Sequence, residues 1–181
     1  MFVGVARVCH GAARVAAGEA AAVADIVAGL TIGAETGFQA GAPFLLSWLA
    51  EAYIIAGQLV EARNAVDMAL AVAAQTGQPG AHAELQGLQG EITLRMIAGH
   101  QSGSDAEINV AECFRRSLEI ARAQDAKAYE LRGATRLARL WRDQGKRTEA
   151  RDLLAPIYGW FTEGFDTRDL QDAKALLVEL G

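Results

Sequence analysis

Catalysis or metal binding needs histidine, cysteine, serine or carboxylate side chains gathered at set spacings, and this chain scatters them. Its three histidines, His10, His82 and His100, stand apart. None belongs to a His-Glu-x-x-His pattern, which would put two imidazoles on one helical face for zinc. The four serines, Ser47, Ser102, Ser104 and Ser117, include none in a Gly-x-Ser-x-Gly turn. Cys9 and Cys113 are far apart, in neither a metal-type nor a redox spacing. No glycine-rich loop ending in Gly-Lys-Ser/Thr is present to cradle phosphates. No catalytic residue, cofactor or metal ion is expected, and the chain reads as a non-enzyme that works by binding.

The elements that would position a binding surface are helices. About half of the 181 residues are apolar, largely alanine, while aromatics make up 7% and prolines number three, a profile of close-packed helices rather than strands. No stretch reaches the roughly 20 uninterrupted apolar residues of a membrane span. Arg7, His10 and Arg14 interrupt the apolar run over 2–17, which therefore reads as a soluble helix and not as a leader. The cysteines read as free thiols, small apolar side chains in a helical interface, in a reducing and hence cytoplasmic setting.

A net charge of -5 favours solubility and points to no nucleic-acid partner, and no membrane partner is expected either. The charge is unevenly placed. Residues 1–110 carry four basic and ten acidic side chains, 111–151 carry eleven and six, and 152–181 carry two and six, so a basic band lies between acidic ends.

One helix-turn-helix is written twice, 88 residues apart: Leu49-Ala50, Tyr53, Gly57, Ala62, Val66 and Ala69 recur as Leu137-Ala138, Trp141, Gly145, Ala150, Leu154 and Ile157. Small and bulky residues at these offsets let two antiparallel helices approach closely and dock the next pair, as in a tetratricopeptide (TPR) repeat of about 34 residues. Helical periodicity and its breakers divide the chain into a single domain over 1–181. Its approximate units are 2–37, 43–77, 81–124 and 127–164, followed by a capping helix at 167–180. Gly4, Gly11 and Gly29 are expected to weaken the first hairpin by about 1 kcal/mol each relative to alanine. Ser104 to Glu107 has the form of a capping box, 99–103 reads as a loop, and Pro156 is expected to bend or break its helix. The aromatic group Trp141, Tyr158, Trp160 and Phe161 reads as core of the last hairpin and cap.

The segments AECFRRSLEIA (111–121), LRGATRLARLW (131–141) and LAPIYGWFTEGFDT (154–167) carry a resemblance, joined by PFLLSWLAEAY (43–53) and GEITL (90–94). Together they resemble the C-terminal TPR-like region of bacterial predicted ATPases and class III adenylate cyclases. The resemblance implies an all-α fold, a right-handed superhelix of antiparallel helix pairs (a TPR-like α-solenoid) with a C-terminal capping helix. It implies a regulatory array, a fragment of such a signalling protein or a free-standing relative, that holds a protein or peptide in its concave groove. The alternative is a small-ligand sensor that regulates an attached ATPase or cyclase.

In such units the first helix of each pair lines the groove. Carried over, the groove-facing positions fall on Phe44, Ser47, Glu51, Ile54 and Ile55 in the first copy, and on Arg132, Thr135, Arg139, Arg142 and Asp143 in the second. An apolar wall would then face an arginine wall, suited to a peptide with acidic residues. The competing reading pairs the arginines with neighbours such as Glu112, Glu119 or Asp143, each pair contributing little. A second copy of the chain is a further candidate partner, because the apolar ends at 2–8 and 176–180 could associate.

Overall fold

The computed structural model describes residues 2–37, 41–98 and 104–181, the side chains of 104–106 excepted, and every element among them is helical. In chain order these are α1 (Phe2–Ala16), α2 (Val23–Glu35), α3 (Ala42–Ile55), α4 (Leu59–Thr76), α5 (His82–Ile97), α6 (Ser104–Ala123), α7 (Lys127–Asp143), α8 (Arg147–Tyr158) and α9 (Arg168–Leu180). Short 3-10 turns at Ala20–Ala22 and Pro79–Ala81 lead into α2 and α5. The expected loop at 99–103 with His100, and the Ser104 side chain of the expected capping box, lie outside the described residues.

The helices pack as antiparallel hairpins, α1 with α2, α3 with α4, α5 with α6 and α7 with α8. The first helices α1, α3, α5 and α7 stack in a row that α9 completes, and each second helix leans on the first helix of the next pair. This is an α-solenoid closed by a capping helix. Leu170, Ala173, Leu176 and Leu180 of α9 are buried on the last hairpin. Its C-terminal carbonyls are met by cations, with Arg147 donating to the Glu179 carbonyl and Arg151 to that of Gly181.

The hairpin turns repeat one solution. After α3, Gly57 at φ 75° lets the Gln58 amide donate to the Tyr53 carbonyl (2.8 Å) while the Gly57 amide donates to Ile54 (3.1 Å). After α7, Gly145 at φ 79° repeats it, with Lys146 donating to Trp141 (2.8 Å) and Gly145 to Arg142 (3.0 Å). This left-handed closing turn satisfies carbonyls that the helix end leaves free. Between α6 and α7 the same turn is built on Asp125 at φ 51°, a conformation that costs a side-chain-bearing residue more than glycine.

The apolar core lies in two clusters. One runs from α1 to α5 around Val8, Ile26, Ile54 and Leu88, the other from α6 to α9 around Phe114, Leu131, Leu137 and Leu154. Each fully buried large side chain contributes roughly 1.5–3 kcal/mol. In the first hairpin the glycines that the sequence marks as weak points lie at the helix contact. A Cβ at Gly29 would lie 2.6 Å from the Gly4 carbonyl oxygen, and one at Gly4 would lie 2.7 Å from that of Gly29. The backbones therefore touch, and the helix propensity lost at these positions is offset by close packing.

α8 carries Pro156 within its last turn and ends two residues later at Tyr158, before Gly159. One other expectation changes. Trp160 lies outside the core, exposed, edge-on to Phe161 at 5.2 Å and with Lys127 Nζ 5.8 Å from its ring centroid.

Gly29→Ala should destabilise the protein by about 1–3 kcal/mol, because the rigid Gly4 carbonyl cannot yield, as urea unfolding would measure. Asp125→Gly should raise stability by about 0.5–1 kcal/mol by relieving the left-handed turn, read as a higher urea midpoint with an unchanged slope.

Candidate functional site

The first helices of the hairpins and α9 form one face of the array, and two recesses open on it. On α7, Arg132, Arg136 and Arg139 follow one another at spacings of four and three residues and so share one stripe. Opposite them stand Glu51 on α3, Glu84 and Glu91 on α5, and Asp169 and Asp172 on α9. A recess of about 160 Å³ between these helices is lined by Glu51, Glu91, Arg132, Arg136, Arg139 and Asp172, among others.

Its floor is a buried ion cluster. Arg136 reaches Glu84 through two parallel bonds, Nη2 to Oε1 at 2.8 Å and Nη1 to Oε2 at 3.2 Å, while its Nε donates to Glu91 at 3.3 Å. Arg132 Nη2 lies 3.2 Å from the same Glu84 oxygen and 2.9 Å from Glu51, and its Nε lies 3.8 Å from Asp169. Room for this is made by Gly87, where a Cβ would lie 2.4 Å from Arg136 Nη1. Ser117 Oγ, also buried, donates to the Ala83 carbonyl at 2.6 Å beside the cluster.

Glu84 is 3% exposed. Burial alone pushes its carboxyl up, but Arg136 and Arg132 more than offset this and hold it below the ordinary carboxylate range. Burial would likewise lower the Arg136 guanidinium, and Glu84 and Glu91 reverse that and raise it. Both groups are locked in their charged forms, so neither donates nor accepts a proton near neutral pH. Among the described residues no group of three or more His, Cys, Asp or Glu side chains is placed to hold a metal ion. His10 and Cys9 are exposed, His82 donates from Nδ1 to the Pro79 carbonyl at 3.0 Å, and burial raises the Cys113 thiol.

The groove positions read from the sequence do not all share one surface. Glu51, Ile54, Ile55, Arg132, Thr135 and Arg139 line the recesses, Ile54 (2% exposed) and Thr135 (5%) with little surface of their own. Ser47 (2%) is buried and lines neither, and like Thr135 it is held by its own helix. The hydroxyls of Ser47 and Thr135 donate to the Phe44 carbonyl (2.7 Å) and the Leu131 carbonyl (2.8 Å) respectively. Phe44 turns to the α4–α5 connection, where a Cβ on Gly80 would meet its ring at 2.8 Å. Arg142 lies toward the end of α9, paired with Asp143 and Glu179.

The arginine partners also differ from Glu112 and Glu119. Because α7 stacks on α5 and α9, its stripe meets carboxylates of first helices, whereas Glu112 on α6 bonds Arg115 on its own helix at 3.5 Å. Sequence reasoning missed Arg136 and Glu84 altogether. The available signal was Gly87 and Gly90 on one side of α5, since small residues three apart mark a place where something bulky closes in.

Beside the charged recess, the groove continues into an apolar one of about 330 Å³, lined by Cys9, Ala12, Trp48, Ile55 and Arg168. Trp48 and Ile55 are 36% and 40% exposed. Arg168 forms no ion pair among the described residues, whereas Arg95, Arg132, Arg136 and Arg139 each have a carboxylate within 4 Å.

No protein-family model matches the chain, and no curated protein matches its sequence. Solved structures do. Two crystal structures of nearly identical TPR-like repeats, from a Podosopora anserina protein described as a kinesin light chain, align over 97% of this chain and 83% of theirs. One is a single-substitution variant; the TM-scores are 0.57 and 0.56, with 19% sequence identity in both cases. The fold is thus a TPR-like helical repeat. No helix among the described residues is long and apolar enough to cross a membrane.

Glu84→Gln should cost about 3–5 kcal/mol, because it leaves Arg136 buried without its charge partner. Replacing Glu84 and Arg136 together by methionine should restore most of that loss. For Glu84, whose folded carboxyl is held low, the stabilisation is complete above the unfolded value and is lost as pH falls through the folded one. Wild-type stability should therefore fall below about pH 4, and Glu84→Gln should flatten that acid limb. Asp169, raised by partial burial against the pull of Arg132, acts in the opposite sense but is half exposed and screened. Urea midpoints measured across an acid pH series would check both statements.

Proposed function

We propose that the protein is a non-enzymatic scaffold that binds a peptide or helical segment of a protein partner in its concave groove. We propose further that it is the regulatory array of a bacterial signalling ATPase or adenylate cyclase, or a free-standing relative, working in a reducing compartment such as the cytoplasm. The observation that carries the reading is the groove itself, where the apolar recess under Trp48 and Ile55 adjoins a charged one. The family resemblance of the segments around 131–141 and 154–167 supports the signalling context.

The electrostatics refine what the groove would hold. Arg132 and Arg136 are committed to carboxylates of the chain in largely buried pairs, so the positive charge open to a partner is at Arg168 and, by exchange of its exposed pair with Asp172, at Arg139. A bound segment would place a large apolar side chain over Ile55 and Trp48 and an acidic one toward Arg139 or Arg168.

Selection of short displayed peptides on the purified protein should enrich sequences that combine an apolar anchor with an acidic residue. Their affinity should fall by about tenfold or more, roughly 1.4 kcal/mol, in Ile55→Asp and in Arg139→Glu, and persist in Glu35→Lys, at the end of α2 and outside both recesses. Enriched peptides that bind both groove variants as well as wild type would overturn the groove assignment.

A further inference from the structure

A second cavity, separate from the concave groove, opens between the first two hairpins. It measures about 540 Å³ and lies between α2 and α4 over a floor of α3, with Leu30, Leu45, Leu49, Met68 and Val72 among its walls. Its origin is traceable to small residues. The touching backbones at Gly4 and Gly29 draw α2 onto α1, and the end of α2 with the turn after it offers Gly33, Ala34 and Gly37 to the cavity. A Cβ at Gly33 would meet nothing within 4 Å. α2 also packs less extensively on α3 than α4, α6 and α8 pack on the helices that follow them.

The lining carries no Asp, Glu, Lys or Arg. Of its polar groups, the hydroxyls of Thr31 and Thr76 are engaged by their own helix, at the carbonyls of Val27 (3.0 Å) and Val72 (2.7 Å). An ionised ligand would find no counter-charge here and would lose its hydration without compensation. The volume falls in the range of roughly 300–1,000 Å³ typical of small-molecule sites.

We propose that this cleft binds a small, uncharged, largely hydrocarbon molecule, of the class of a long-chain alcohol. Because its walls come from both hairpins, a bound molecule would fix the angle between the first hairpin and the rest of the array, which gives the site a means of regulation.

The test uses the full chain and the neutral fluorophore N-phenylnaphthylamine, displaced by dodecanol, dodecanoate or dodecylammonium. Wild-type protein should give saturable fluorescence that dodecanol displaces better than either charged analogue. Gly33→Leu starts a side chain at a point where a Cβ meets nothing within 4 Å; extended into the cleft, it should abolish saturable binding while leaving the thermal midpoint equal or higher. Met68→Lys, a charge added at an exposed edge of the cleft, should weaken dodecanol and strengthen dodecanoate, each by about tenfold. The proposal is overturned by a wild type without saturable fluorescence, or by a Gly33→Leu variant that binds like wild type. It is also overturned if wild type sediments as a dimer that Gly33→Leu turns into a monomer, since a second copy would then be the occupant. Peptide capture by the concave groove is unaffected by any of these outcomes.

Discussion

The Glu84 carboxylate, enclosed at the middle of the array by two guanidinium groups, is the contact on which the rest of the groove depends. It lies where the two apolar clusters meet, so the continuity between the halves of the solenoid is partly ionic. A lone carboxylate there would be costly to bury, and so would either arginine. Each is tolerable only with the others in place, which requires α5 and α7 in their observed register and Gly87 without a side chain. Specificity of packing, more than net stability, is what such a cluster supplies.

From that contact the charges spread outward through the first helices. Arg132 reaches α3, α5 and α9 at once, and Arg139 and Arg142 reach α9. The basic band visible in the sequence is therefore largely spent within the molecule, against the acidic residues of the flanking regions. A partner meets a groove that is close to electrically balanced, with apolar surface at Trp48 and Ile55 and free charge at its border.

Helix positions were legible from local chemistry. Gly57 and Gly145 stand where the turns need a left-handed residue, and the capping helix read over 167–180 is α9, Arg168–Leu180. The site was legible only in part. Glu51, Ile54, Ile55, Arg132, Thr135 and Arg139 follow from helix periodicity once the superhelix is assumed, but Glu84 and Arg136 are joined by stacking of α5 on α7, which no spacing within either helix encodes. Ser47 turns inward for a related reason, since positions at the margin of a helical stripe are buried or exposed according to how closely the next helix lies. The glycines of the first hairpin were the most misleading, because propensity measures their cost in an isolated helix and not the backbone contact they permit.

The bridge from Arg132 to Glu51 joins α3 to α7, passing over the intervening helix pair, in a stack held otherwise mainly by neighbours. A solenoid of nearest-neighbour contacts behaves as a spring, and ties along its inner side set how far that spring opens. Of these ties the buried ones around Glu84 are stiff to ionic strength, while the exposed pair of Arg139 and Asp172 is screened by salt. The ties along the inner side are thus graded in their response to ionic strength, with those around Glu84 holding as salt rises and the one between α7 and α9 through Arg139 weakening first.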